Sequence, residues 1–243
     1  MAWGQATARR SARRAVTDRS QALSRREAVT RLAARIADHR LGHPTRVAVD
    51  GVTASGKSTL ARELSAAVAE LRRPVMHVSM DGFHHPRVRR YRQGRESARG
   101  YDDDAYDFAA LARELLRPLG PCGDGQYRTR VIDLETDTAM AEPLQTAAPG
   151  AVLVVDGTFL QRPEIRDLWD ERVWVDTPLQ TARRRGVDRD GDLLGGTDAA
   201  ERLFRKRYHA AAQIYIDTVA PAQCATVVFG NQDRERGQLR FLT

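Results

Sequence analysis

Cysteine, lysine and long apolar runs are all scarce in this 243-residue chain, and each scarcity excludes something. The two cysteines, Cys122 and Cys224, cannot build a disulfide framework and lack metal-ligand spacing, so they read as bystanders in a reduced cytoplasm. No apolar stretch nears the ~20 residues that a bilayer span requires, and no signal-peptide core is visible, so a cytoplasmic location is expected. Lysine is the sharpest shortage: of 39 basic residues, only Lys57 and Lys206 are lysine. A chain so biased toward arginine keeps an ammonium at position 57 for a task that a guanidinium does not serve. The compact point charge and the planar fork bind phosphate differently.

The formal charge of +7 points toward acidic partners, yet it is unevenly spread. Arg9, Arg10, Arg13 and Arg14 all precede the first acid, Asp18, in a stretch rich in Ala and Ser. Residues 1–20 therefore read as a disordered basic tail. A nucleic-acid arm or an organelle transit peptide is the sharper alternative, but no aromatic interleaving or RNA-binding signature supports it. Neither nucleic acid nor a membrane is expected as a partner, and a homo-oligomer is compatible with the composition. Residues 21–243 suffice for one substantial core, and one domain is expected.

Lys57 closes the run Gly51-Val52-Thr53-Ala54-Ser55-Gly56-Lys57-Ser58, followed by Thr59, which has the form G-x-x-x-x-G-K-[ST]. Glycines let backbone N–H groups face a polyphosphate, the lysine reaches the β- and γ-phosphates, and the serine hydroxyl ligates Mg²⁺. The surroundings agree. Residues 46–50 read as a short buried strand, and Leu60, Leu64, Ala67, Val68 and Leu71 recur at helical spacing directly afterwards. The phosphates would then rest on a helix N-terminus, where orphan N–H groups favour anions. A nucleoside triphosphate with Mg²⁺ is the expected ligand.

Before the loop, Val29, Leu32, Ala33 and Ile36 mark an amphipathic helix that ends near Gly42 and Pro44. After it, residues 74–80 read as a second strand ending at Asp81, which makes a right-handed βαβ unit. Residues 82–105 are polar and arginine-rich, with little apolar periodicity. A helix is expected from about Asp107 to Pro118, then a loop to Gly125, then an exposed strand over 126–132 that opens a small hairpin. Residues 151–155 form a buried strand ending at Asp156, and 173–175 form the next. Thr177 is expected as an N-cap with Pro178 at the first helical position. The helix that follows carries Arg183, Arg184, Arg185 and Arg189 and breaks at the glycine-rich 191–196. Phe204 to Val219 stripe a last helix, and 225–229 make the final strand. The fold class is α/β: a doubly wound parallel sheet of the P-loop NTPase type, with a hairpin insertion and a short arginine-bearing lid at about 183–198.

Phosphoryl transfer depends on positioning and charge stabilisation. Asp156 ends a strand of five apolar residues, where a carboxylate would join Ser58 in holding the metal. Asp81 ends the strand after the loop helix and so falls at the same sheet edge, placed to accept a proton from an acceptor hydroxyl. Arg185 and Arg189, four residues apart on one helix, could close over the triphosphate. Arg87, Arg89, Arg90, Arg92 and Arg95 could clamp an acidic acceptor such as a sugar phosphate. His84, beside His85, is expected to contact the acceptor by hydrogen bonds rather than to bind metal.

In this order and spacing the motifs resemble the uridine kinase and phosphoribulokinase family of P-loop kinases, which are nucleoside monophosphate kinase-like in fold. Within it they resemble a nucleoside/nucleotide kinase-like branch common in actinobacteria. The resemblance runs from about Arg46 to Asp233. It rests on residues 49–59, on Ser79-Met-Asp-Gly-Phe-His84, on 100–107, on Val154-Val-Asp-Gly157, on the arginine helix, and on Arg207-Tyr208 with 213–215 and Pro221. It implies transfer of the γ-phosphoryl of ATP to a primary hydroxyl. Asp81 would be the base, Ser58 and Asp156 would hold Mg²⁺, and Lys57, Arg185 and Arg189 would act on the phosphates. Gly51, Thr53, Ala54, Ser55, Gly56 and Thr59 would complete the ATP cradle. Asp102 and Tyr127 would fall near substrate-contacting positions.

One departure bears on the acceptor. Ile132 stands where uridine kinases usually carry a base-reading histidine, and a site discriminates by the hydrogen bonds it is built to make. A nucleoside such as uridine or cytidine is the first expectation, with a sugar, a sugar phosphate or a vitamin precursor (pantothenate, nicotinamide riboside) next. From a different class, a regulatory P-loop NTPase would transfer phosphate only to water. Gly230-Asn-Gln-Asp233 lacks the lysine of a guanine-reading motif, and the pair Asp81 and Asp156 favours an acceptor hydroxyl.

Overall fold

The structure, a computed structural model, describes residues 23–242, so the basic tail lies outside the described residues. The main sheet has seven strands: β1 (Leu23–Ser24), β2 (Thr45–Asp50), β3 (Val75–Ser79), β4 (Val152–Gly157), β5 (Glu171–Asp176), β6 (Val227–Gly230) and β7 (Arg236–Phe241). Their spatial order is β1-β7-β6-β5-β2-β4-β3. The five strands from β6 to β3 are parallel, and β7 with β1 adds an antiparallel edge. Among the described residues, no helix is long and apolar enough to cross a membrane.

Both faces of the parallel core are covered, which is why its strands read as continuous apolar runs. Val47 and Val49 of β2 and Val152 and Val154 of β4 pack with Leu32, Ile36, Leu60 and Leu64 of α1 (Arg25–Ala37) and α2 (Lys57–Glu70). Ala48, Leu153 and Val155 point to the opposite face, into a cluster with Met80, Phe83, Leu111, Phe159 and Tyr215. α1 starts with a capping box, in which the Ser24 hydroxyl accepts from Glu27 N and the Glu27 carboxylate accepts from Ser24 N at 2.9 Å.

Register places the chemistry. Asp156 lies opposite Val49, two residues before Gly51, and opposite Ser79, two residues before Asp81. The carboxyl ends of β2, β3 and β4 thus deliver the phosphate loop and both strand-end aspartates to one edge, where open α/β sheets bind ligands.

Several local expectations need correction. Residues 82–105 hold two helices, Arg87–Arg90 and α3 (Ala98–Asp104), each too short to show a period. The helix from Phe108 does reach Leu116, as α4 (Phe108–Leu111) running on into a π-helical turn, and Asp107 caps it by accepting from Ala110 N at 2.8 Å. The expected hairpin is interrupted: Gln126–Tyr127 pairs with Gln145–Thr146, and Ile132–Asp133 pairs with Thr138–Ala139. Thr177 is not an N-cap. Pro178 occupies that position for α5 (Leu179–Asp190), while the Thr177 hydroxyl donates to Ser55 O at 2.9 Å. The last long helix begins earlier, running over 197–219 through a π-helical turn at Phe204–Tyr208. β7 was not expected, because its alternating polar sequence shows little apolar content.

Candidate active site

The loop after β2 is anchored from beneath. Asp50 is fully buried, and its carboxylate accepts from Gly51 N at 2.8 Å, Gln161 Nε2 at 3.2 Å and the Tyr215 hydroxyl at 2.6 Å. Burial raises the Asp50 pKa, and these bonds oppose the rise. The loop crest then needs unusual backbone: Ala54 has φ +65° and Gly56 φ +94°. At Gly51 a Cβ would stand 2.6 Å from Ser55 Oγ and 3.2 Å from Val175, so a side chain there would have to displace the loop's own serine. Asn231 Nδ2 donates to Ser55 O at 2.6 Å and ties the loop to the segment after β6. Lys57 Nζ reaches Val52 O at 3.4 Å. Desolvation lowers the Lys57 pKa, and the charges of Asp156, Asp81 and Asp50 act against it.

At the start of α2 the exposed Ser58 hydroxyl donates to Asp156 Oδ2. His77, on β3, donates from Nε2 to Asp156 Oδ1 at 2.8 Å. Burial would raise the Asp156 carboxyl, but the bonds from His77 and Ser58 and the charge of Lys57 outweigh it and hold the group below its ordinary value. Sequence reasoning missed His77, whose only signal was a polar residue inside an otherwise apolar strand. Mg²⁺ typically takes one or two carboxylates and completes its shell with substrate oxygens and water. A carboxylate and a hydroxyl in contact beside the phosphate loop fit that requirement. Among the described residues no group of three or more His, Cys, Asp or Glu side chains is arranged to hold a metal without such help.

Two cavities open beside the loop. One, of about 380 Å³, is bordered by Gly56, Thr59, Glu63, Arg185, Asn231 and Arg25. Arg25 donates to Asn231 Oδ1 at 2.6 Å and pairs with Glu63 at 2.8 Å, so α1 closes this side. Sequence reasoning found neither Arg25 nor Asn231, because both lie far along the chain from the loop. The second cavity, of about 230 Å³, is bordered by Asp81, His84, Arg90, Tyr101, Arg207 and Tyr208. Arg189 borders both. The two helix arginines therefore part ways: Arg185 donates to Asn231 O and Gln232 O, each at 2.9 Å, whereas Arg189 stands at the junction and pairs with Asp190 at 2.7 Å.

The acceptor residues expected from sequence are only partly assembled. His84 lies in the second cavity, its ring 4.2 Å from that of Tyr106, with Nδ1 donating to Asp81 O at 3.0 Å. Burial lowers its pKa against the charge of Asp81, which keeps the ring neutral and leaves Nε2 an acceptor. Asp102 borders neither cavity. α3 turns Tyr101 inward and sends Asp102 around to Arg162, whose Nη2 lies 2.5 Å from Oδ1. Tyr127 is also outside, its hydroxyl donating to Gln145 Oε1 at 3.2 Å within the hairpin. Of the arginine run, Arg90 borders the cavity, whereas Arg92 pairs with Asp104 at 2.7 Å. His85 sits 3.7 Å from Asp107, apart from His84's surroundings.

No family model matches the chain. A uridine kinase of Alkaliphilus metalliredigens is 24% identical over 184 residues, covering 75% of this chain and 80% of that protein. Among solved structures, a possible uridine kinase from Bacillus stearothermophilus aligns at 26% identity with a TM-score of 0.66, covering 84% of this chain and 97% of that one. A candidate fructose transport system kinase from Silicibacter sp. TM1040 aligns at 27% identity with a TM-score of 0.63, covering 76% and 92%. With the lysine-closed loop and these matches together, the chain has the P-loop fold and is similar to the uridine kinases.

Proposed function

We propose that this protein transfers the γ-phosphoryl of ATP to a hydroxyl of a small molecule held in the cavity beside Asp81. The observation that carries the reading is that Arg189 lines two cavities, one against the phosphate loop and one against Asp81. The loop amides, Lys57 and Ser58 hold the triphosphate. Ser58 and Asp156 would hold Mg²⁺, with His77 fixing the carboxylate; when bound, the ion offsets charge on the phosphate oxygens. Asp81 orients the acceptor hydroxyl and takes its proton as the oxygen attacks. Arg189 places a cation where the transferring group passes between the cavities.

Within this class, a nucleoside acceptor is supported by the relatives' names, and a sugar by the second structural neighbour. Asp102 and Tyr127, expected near substrate-contacting positions, do not border the cavity beside Asp81, and Ile132, at the position of the base-reading histidine, is buried in the hairpin. The test is ADP release by the purified protein with Mg-ATP against nucleosides, pentoses, hexoses and vitamin precursors. One acceptor class should raise ADP release at least about tenfold over the acceptor-free rate, a modest fraction of a normal catalytic gain. Hydrolysis that no small acceptor stimulates, and that a macromolecule does, would favour the regulatory NTPase instead.

A further inference from the structure

Among the described residues, Arg207 is the one arginine bordering the cavity beside Asp81 that forms no ion pair. Arg189 is paired with Asp190, and Arg90 donates to Asp137 at 2.9 Å. Arg207 is only 4% exposed and sits in the π-helical turn of the last long helix. Its Nη1 donates to the carbonyls of Gly94, Arg95 and Ser97 at 3.4, 3.0 and 3.2 Å, which braces the loop before α3. Its Nε and Nη2 find no protein acceptor among the described residues, although the guanidinium lies over Tyr91 and Tyr101 at 5.2 and 5.0 Å. Arg90 adds a buried Nε without a partner at the same wall.

A cation this enclosed is costly unless it is paired, and its Nε and Nη2, open to the cavity and bonded to no protein atom, are left for a ligand or water. Aromatic faces offset part of that cost and leave the directed N–H groups unused. The bidentate geometry of a free guanidinium edge matches a carboxylate or a phosphate. Arg207 does not border the cavity against the phosphate loop, so the triphosphate is not its natural partner.

We infer that the acceptor is itself an anion. Its hydroxyl lies toward Asp81, and its carboxylate or phosphate group is held by Arg207 with Arg90. This inference rests on the kinase reading and narrows the acceptor to a hydroxylated acid or a phosphorylated sugar. The cavity of about 230 Å³ suits a compact molecule, below the roughly 300–1,000 Å³ of pockets that take drug-sized ligands. Asp81 and Asp190 border the same space, so the anionic group must enter at the arginine end, and the two charges enforce one orientation.

The test uses the full chain saturated with Mg²⁺ and AMP-PNP, so that the phosphate loop is filled, and titrates acetate and inorganic phosphate separately by calorimetry and tyrosine fluorescence. Saturable binding of at least one probe is expected, with the preferred probe separating a carboxylate from a phosphate acceptor. Arg207→Gln should weaken that binding at least tenfold while AMP-PNP affinity stays within twofold, and Arg207→Lys should retain part of it. Absence of saturable binding in the wild-type chain overturns the inference even if no variant folds, and so does full retention in Arg207→Gln. Failure of AMP-PNP itself to bind overturns the kinase reading and the inference with it, whereas normal AMP-PNP binding with no anion binding removes the inference alone.

Discussion

His77→Ala removes a single hydrogen bond, and its consequence should appear in the metal requirement rather than in the nucleotide site as a whole. The bond runs 2.8 Å to Oδ1 of a carboxylate that is 4% exposed and otherwise held by Ser58. A hydrogen bond to a charged group is worth about 1.5–3 kcal/mol, and each ~1.4 kcal/mol is tenfold in an equilibrium constant. The His77 side chain is 30% exposed, so water replaces part of the lost interaction and the lower end of that range applies. The Mg²⁺ concentration that half-saturates nucleotide binding should therefore rise about tenfold, within the 10–100-fold seen when groups behind metal ligands are removed. Calorimetric titration of Mg²⁺ at fixed AMP-PNP measures this directly, with metal-free nucleotide affinity as the internal control. His77→Gln can donate to the same oxygen and should recover part of the loss. Half-saturation unchanged within twofold in His77→Ala would show that the contact does not prepare Asp156 for an ion.

Three further outcomes follow from the same geometry. Tyr215→Phe strips a 2.6 Å bond from Asp50 and leaves Gln161 N without its 2.9 Å acceptor; a loss of about 2–4 kcal/mol and a melting point lower by about 4–16 °C are expected by calorimetry. Gly56→Ala forces a side chain into φ +94° against Asn231, and should abolish measurable AMP-PNP binding while the circular dichroism spectrum persists. Stability should fall with acid before the carboxylates titrate. Burial lowers the folded-state pKa of His84, His85 and His209 below 6.5, so below that pH the unfolded chain binds protons that the folded chain refuses. The stabilisation is complete above about pH 6.5 and drains as pH falls, so the melting point should drop between pH 7 and 5. A flat profile would contradict the burial of these rings.

The sheet and the phosphate loop were legible in the sequence because their signals are local. Val47 to Val49 and Val152 to Val155 are covered on both faces and read as unbroken apolar runs, and the glycines and Lys57 follow at fixed offsets. Asp81 and Asp156 could be placed at one edge because strand ends in a parallel sheet share a side. The cavity beside Asp81 was far less legible. Tyr101 faces it and Asp102 does not, a difference of one helical step in α3 that polar composition cannot reveal. Arg207 was noticed only as part of a motif, since its isolation from carboxylates depends on where three loop carbonyls and two tyrosines fall in space. β7 escaped because an antiparallel edge strand with an exposed face needs few apolar residues.

In the proposed mechanism a triphosphate bound at Lys57 is delivered to a hydroxyl oriented by Asp81. Steady-state kinetics of Asp81→Asn, paired with AMP-PNP calorimetry on the same preparation, test it most directly. Nucleotide affinity within twofold of wild type and turnover reduced by about 10²-fold or more are predicted. Turnover within threefold of wild type would contradict the claim and move the base elsewhere in the cavity.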